Sequence, residues 1–151
     1  RGKFDVQMGY TQQSSRYNEP EKWTEELAPQ RRIFRSPDSF GYVTSNIEVS
    51  PKFQVSLFGN YTGSMLVKHV KVTENSDTRL EKTTPHFWDF GTKLTYKVPI
   101  SSVINLELNG GVKNIFDAFQ KDLDYGPLKD PSYIYGPSFP RIFFVGLRFL
   151  M

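Results

Sequence analysis

Two histidines, His69 and His86, and the aspartates Asp117, Asp122, Asp124 and Asp130 are the residues best suited by type to metal binding or acid–base work. Their spacing gives little support to either. No His-x-x-His or His-Glu-x-x-His pair occurs, so reach toward a haem iron or another metal competes with the plainer role of a solvated loop histidine. Asp122-Leu123-Asp124 with Asp130 lacks the glycine at the sharp turn and the closing glutamate of a calcium loop. A turn whose side chains bond their own backbone is the simpler reading. The chain has no cysteine, which removes disulfides and thiolate metal sites. The expectation is a protein that is not an enzyme, with no cofactor and no metal.

Recognition chemistry is better represented than catalysis. Tyr125, Tyr133 and Tyr135 stand among Gly126, Pro127, Gly136, Pro137 and Pro140. Such a loop is stiff and rich in rings that offer contact area and a hydroxyl at little entropic cost. These three tyrosines, with Trp23, are the candidates for ligand contact. The competing reading has the loop packing on its neighbours and locking the chain that follows. Arg141, beside Pro140, is placed to meet a loop carboxylate.

The elements that must position these residues are strands. Apolar and polar residues alternate with period two, and helical periodicity is nearly absent. Phe4, Val6, Met8 and Tyr10 share one face of a first strand. A second runs from about Phe40 to Val49, with Val43, Ile47 and Val49 on one side and Phe40 and Tyr42 on the other. The third is Phe53 to Thr62, the fourth Trp88 to Val98, the fifth Ile104 to Lys113, and the sixth Phe143 to Met151. Polar stretches at about 12–38, 64–85 and 114–140 read as long loops, whereas Ser50-Pro51-Lys52 and 99–102 read as tight turns. Connections therefore alternate long, short, long, short, long.

That alternation, with strands of the roughly 9–11 residues a tilted membrane strand needs, fits a transmembrane β-barrel with short turns at one end and long loops at the other. Phe53, Tyr61, Trp88, Tyr96, Phe143 and Phe149 fall on the apolar side as candidate membrane-girdle residues. Trp88 and Tyr96 are spaced to lie roughly 20 Å apart along a membrane normal, near the height of an apolar band edged by aromatic rings. Asp89, Lys93, Lys97, Glu107, Lys113 and Arg148 fall on the opposite side, which suits a wet or plugged interior better than a dry core. Mean hydropathy is −0.47, as expected when the two faces cancel. No run of about 18 apolar residues exists to form a membrane helix. A net charge of +3 without a recognition motif gives no case for nucleic acid. The start, Arg1-Gly2-Lys3-Phe4-Asp5, has no apolar leader and falls inside an alternating run, so the expectation is a piece of a longer chain.

From Leu106 the sequence reads Leu-Glu-Leu-Asn-Gly-Gly-Val-Lys-Asn-Ile-Phe-Asp117, then Tyr133-Ile-Tyr-Gly-Pro137, Pro140-Arg141 and Phe144-Val-Gly-Leu-Arg-Phe149. These blocks resemble the C-terminal end of TonB-dependent receptors, especially those of Bacteroidetes. Arg35-Ser-Pro37, Phe40-Gly-Tyr42 and Asn60-Tyr-Thr-Gly-Ser-Met65 are similar to upstream blocks of that family. The family usually ends on an aromatic residue; here Met151 stands in register and Phe149 comes two positions earlier. The resemblance implies that residues 1–151 are the C-terminal, roughly six-stranded, antiparallel part of a barrel of about 22 strands, without its plug domain. It implies a bacterial outer-membrane receptor for active uptake of a siderophore, haem, cobalamin, or a glycan or peptide. Its implied partners are the remaining barrel strands and plug, membrane lipid, the TonB-ExbB-ExbD energy complex acting through the missing N-terminal part, and a surface lipoprotein. Two alternatives stand beside it: a barrel-derived scaffold subunit of an outer-membrane complex, and a soluble β-sandwich or lipocalin-like binder.

Overall fold

Alternation of side chains in the sequence is converted into a sheet whose two faces differ in chemistry. The structure, a computed structural model, describes residues 3–137 and 139–150. In chain order the strands are β1 (Phe4–Gln12), β2 (Arg16–Glu21), β3 (Gln30–Arg32), β4 (Ser39–Ser50), β5 (Phe53–Thr62), β6 (Leu66–Thr73), β7 (Ser76–Thr83), β8 (Phe87–Pro99), β9 (Asn105–Lys113) and β10 (Ile142–Leu150). There is no helix among the described residues.

The six strands expected from periodicity are β1, β4, β5, β8, β9 and β10. They form one antiparallel sheet in that order. Two stretches read from sequence as loops hold further strands. β2 pairs with β3 inside 12–38, and β6 pairs with β7 inside 64–85. These ribbons escaped the periodicity because β2 and β7 are polar on both sides and almost wholly exposed, leaving no apolar contrast to read. Both ribbons are inserted into long connections, so the main sheet remains a simple meander. Tight turns join β4 to β5 and β8 to β9 at one end, and the three long connections lie at the other. The sheet is not closed. β1 and β10 are its opposite edges, and no pairing joins them among the described residues.

Residues opposed across antiparallel strands share a face. Phe4 lies opposite Ile47 and Met8 opposite Val43. The side continues through Val55–Leu94 and Tyr61–Trp88, then Tyr96–Leu108, then Leu108–Leu147 and Leu106–Phe149. By this register no charged residue of the six strands falls on that side. Its residues are not covered: Val145 is 86% and Leu147 64% exposed. Met151, which the sequence puts on the same side, lies outside the described residues.

The other side carries Asp89, Lys93, Lys97, Glu107, Lys113 and Arg148. Glu107 is buried and sits between Lys97 (Nζ 3.8 Å) and Arg148 (Nε 3.0 Å), its direct neighbours on both flanking strands. Thr95 donates to Asn109 at 2.9 Å and Ser56 to Asn46 at 2.7 Å. Phe40 and Tyr42 also face this way. Tyr42 lies over its partner Gly9 and accepts a hydrogen bond from Gln7 at 3.2 Å. The same device recurs where Phe58 covers Gly91, Phe144 covers Gly111 and, on the apolar side, Phe90 covers Gly59. A glycine opposite an aromatic leaves a slot for the ring and pins the register.

Among the described residues the only buried apolar cluster, Met65, Val67, Tyr133 and Tyr135, is at the long-loop end and not beneath the sheet. Gly91 and Gly146 make a paired test of the glycine slots. A Cβ at Gly91 would collide with the Phe58 ring and come within 2.9 Å of the Val112 carbonyl oxygen, whereas one at Gly146 would meet nothing within 4 Å. Gly91→Val is expected to lower stability by about 1–3 kcal/mol as an overpacked site, and Gly146→Ala to leave it nearly unchanged, read as shifts in denaturation midpoint. Equal shifts would mean the rings do not set the strand spacing.

Candidate functional site: the packed long-loop cap

Where β9 leaves the sheet, Asn114 and Asp117 both take positive φ (50° and 52°). Asparagine and aspartate tolerate that conformation better than other residues with a Cβ. Asn114 then closes a tight turn. Its carboxamide oxygen accepts from the Ala118 amide at 2.8 Å, and its nitrogen donates to the carbonyls of Ala118 (2.9 Å) and Phe139 (3.0 Å). Asp117 accepts the backbone amide of Arg141 at 2.8 Å, joining the loop's start to its end. The carboxylate partner expected for Arg141 is therefore found, but through the main chain.

The loop between these anchors folds onto the β6–β7 ribbon. Asp122 is the hub. It receives Tyr133 Oη at 2.7 Å, Tyr135 Oη, and Lys82 Nζ from β7. Gln120 clasps the same segment, donating to the Tyr133 carbonyl at 3.2 Å and accepting the Tyr135 amide at 3.0 Å. On β6, the buried His69 stacks on the Tyr133 ring with centroids 3.8 Å apart, and its Nε2 lies 2.7 Å from Asp124. Asp130 accepts the Val70 amide at 2.8 Å and the Ser132 hydroxyl at 2.6 Å. Arg35, from the first long connection, donates to the carbonyls of Ile134 (3.0 Å) and Ser132. Three connections distant in sequence thus become one packed cap over one end of the sheet.

Burial pushes the Asp122 carboxyl up, but the bonds from Lys82, Tyr135 and Tyr133 outweigh it and hold it well below the usual carboxylate range. Lys82 is raised by its bond to Asp122 and then by Tyr133. Tyr135 is raised by burial and then by Asp122. For Asp130, burial again opposes, and the Ser132 and Val70 hydrogen bonds bring it down.

The candidate contact residues separate into two groups. Tyr133 is fully buried and Tyr135 nearly so, both with their hydroxyls bound to Asp122, though Tyr135 still lines a surface cavity with His86, Trp88 and Phe119. The two tyrosines lock the loop, the competing reading of the sequence. Their i, i+2 spacing, which puts both rings on one side of an extended segment, was the visible signal. Tyr125 projects outward, 77% exposed, beside Gly126 at φ 88°. Trp23 packs edge-on against Phe34, with the Lys68 ammonium 5.2 and 4.7 Å from the two ring centroids. His86 is exposed on the apolar side next to Tyr61. Asp122, Asp124 and Asp130 are all engaged by protein groups, and among the described residues no set of three His, Asp or Glu side chains is placed to hold a metal ion. The residues that sequence reasoning missed are Lys82, Gln120, Asn114 and Arg35. Only Asn114, a residue type suited to a helical or left-handed turn after a strand, carried a local cue.

Comparison with protein-family models, with curated proteins and with solved structures found no match for the chain.

The cap has a defined pH response. Asp122 and Asp130 have folded values below the unfolded value of about 3.9. Their contribution is present above that value and is lost as pH falls through the folded range. Lys82 and Tyr135 are raised, so theirs is complete below about 10 and is lost as pH climbs beyond. Lys82 and Asp122 stay partly exposed, which limits the pair to roughly 1 kcal/mol or less. Asp122→Asn should therefore speed amide exchange across 118–137 by a few-fold at neutral pH, with the wild type approaching it below about pH 4 after correction for intrinsic rates. Identical exchange in the two proteins at neutral pH would remove Asp122 as the lock.

Proposed function

We propose that the chain is a stretch of outer-membrane β-barrel wall carrying three outer loops, and that it belongs to a receptor for energy-coupled nutrient uptake of the TonB-dependent kind. The observation that carries the reading is the sheet itself. One side is continuous, uncharged and uncovered across six strands, the other holds all the strand charges, and neither is closed over by this chain. In lipid the first side is solvated by acyl chains and the second by a hydrated or plugged lumen.

Three further features support it. Strands of nine to thirteen residues are long for a soluble sheet, where about 5–6 is usual. Aromatic rings edge the apolar side at both ends: Tyr10, Tyr61 and Trp88 near the loops, with Tyr61 and Trp88 centroids 4.7 Å apart, and Phe53, Tyr96 and Phe149 near the tight turns. Phe143, at the loop end of β10, completes the first band. Finally, all long connections are at one end and both tight turns at the other, the asymmetry of a barrel with long outer loops. In this reading the two open edges are where the six strands join the rest of a barrel of about 22, of which they are roughly a quarter. In this reading Asp89, Lys93, Lys97, Glu107, Lys113 and Arg148 line the lumen and meet the plug. The chain performs no covalent chemistry.

A second reading, a small sheet domain, rests on the same sheet. It requires a partner to cover the apolar side, because nothing within the described residues does.

Substitution by depth separates the two. Val145→Arg, in the middle of the apolar side, is expected to cost about 2–4 kcal/mol of folding free energy in detergent or bilayer, whereas Asn60→Arg on the opposite side costs much less. The wild-type protein should stay with outer membranes through an alkaline wash. Recovery of a folded, monodisperse protein in buffer without detergent would overturn the membrane reading.

A further inference from the structure

Just beyond the loop ends of β1, β4 and β5 lies a polar cavity of about 380 Å³, lined by Gln13, Ser14, Ser15, Arg16, Arg32, Ser36, Asp38 and Ser64 among others. Arg16 and Arg32 are directly opposed across the β2–β3 ribbon. Like charges so placed destabilise a ribbon. Neither guanidinium lies within ion-pair distance of a carboxylate among the described residues. The one lining carboxylate, Asp38, is engaged: Oδ2 accepts from Ser64 at 2.7 Å and Oδ1 from Ser39 at 3.0 Å, and these bonds, with the nearby charge of Arg32, hold its carboxyl below the usual range.

What remains unspent is a set of donors. Arg16 uses only Nε, toward Ser14 Oγ at 3.2 Å. The Ser14 hydroxyl accepts that bond, and Ser36 Oγ accepts from Gln13 at 3.3 Å, so each retains its proton. Two guanidinium forks and two hydroxyl donors converge on a cavity at the small end of the range that holds ligands.

We propose that this cavity binds an oxyanion carried by a small, hydroxyl-rich ligand, with Arg16 and Arg32 as the paired forks and Ser14 and Ser36 as supporting donors. A bound anion removes the repulsion between the two opposed arginines. This deepens the reading of the long-loop end as a ligand-facing mouth and rests on it for its biological sense. The binding measurement itself does not depend on a membrane setting.

The test is calorimetric titration of the full protein in detergent micelles with inorganic phosphate, glucuronate and glucose. At least one of the two anions should bind and glucose should not, with affinity falling as salt is raised. Phosphate alone or glucuronate alone would each support the site and say whether a tetrahedral or a planar oxyanion is preferred. Arg16→Gln with Arg32→Gln should weaken binding about tenfold or more, and Arg16→Lys by less, because charge is kept but the fork is lost. Arg16→Gln without ligand should hold or raise the denaturation midpoint, as relief of like-charge repulsion requires. Binding of neither anion, binding indifferent to the arginines, or a lower midpoint for Arg16→Gln would overturn the proposal. Those results would leave the barrel reading standing, since it is judged by membrane partitioning and the response to Val145→Arg.

Discussion

Register is the constraint on which the rest depends. Strand side chains repeat with period two, so a slip of one residue between any neighbouring pair would turn one strand's charges onto the apolar side. Among the described residues no buried core beneath the sheet corrects such a slip, because neither face is packed by other parts of the chain. The alignment has to be specified locally. Three kinds of contact do so: tight turns at Ser50–Lys52 and 99–104, glycine slots filled by Tyr42, Phe58, Phe90 and Phe144, and the ionic row in which Glu107 meets both Lys97 and Arg148. The ring-over-glycine pairs act by shape and the ionic row by charge. The rings act on β1–β4, β5–β8 and β9–β10, the ionic row acts on β8–β9 and β9–β10, and the tight turn holds β4–β5, so every strand pair is covered.

The cap solves a different problem. Loops longer than about 12–15 residues are entropically costly and rarely lack structure. The first two long connections here spend much of their length in ribbons, and the third lays itself against β6–β7 around Tyr133 and Tyr135. Asp122 binds three groups from two parts of the chain, and Asp130 ties the β6 backbone to the loop. A partly exposed pair such as Lys82–Asp122 adds little by itself. The network adds more by leaving few polar groups of the loop unsatisfied as the aromatic rings become buried. With the third loop held in this way, Tyr125, Phe116, Phe119 and the Arg16–Arg32 cavity are among the exposed features at this end.

The six long strands were legible because each contrasts strongly across its two sides. Bounds came within a residue or two, and the Phe53–Thr62 strand matched at both ends. The one ambiguous strand, β4, was unclear because Phe40 and Tyr42 oppose the apolar set. Their placement is decided by Gly9 and Thr11 on the neighbouring strand, which no reading of β4 alone contains. The ribbons β2–β3 and β6–β7 were not legible: β2 and β7 are wet on both sides, and the buried Leu66, Val67 and His69 of β6 do not alternate with exposed residues. The packing of Tyr133 and Tyr135 was legible only as one of two readings of the loop. It depends on Lys82 and on a β6–β7 platform that only tertiary structure brings beneath the loop.

The two edge strands bear on what surrounds this sheet. Soluble proteins guard an edge with short strands, prolines, bulges or inward charges. β10 has none of these: Ile-Phe-Phe-Val-Gly-Leu-Arg-Phe-Leu is long and apolar, and its single charge, Arg148, is committed to Glu107. β1 is equally long and contains no proline. Left open in water, such edges would recruit other strands indiscriminately; left open in lipid, their amide and carbonyl groups would have no partner at all. Either environment penalises an isolated six-stranded sheet with bare edges. In the proposed barrel wall further strands would cover both edges at once, whereas a small sheet domain would need a partner at each.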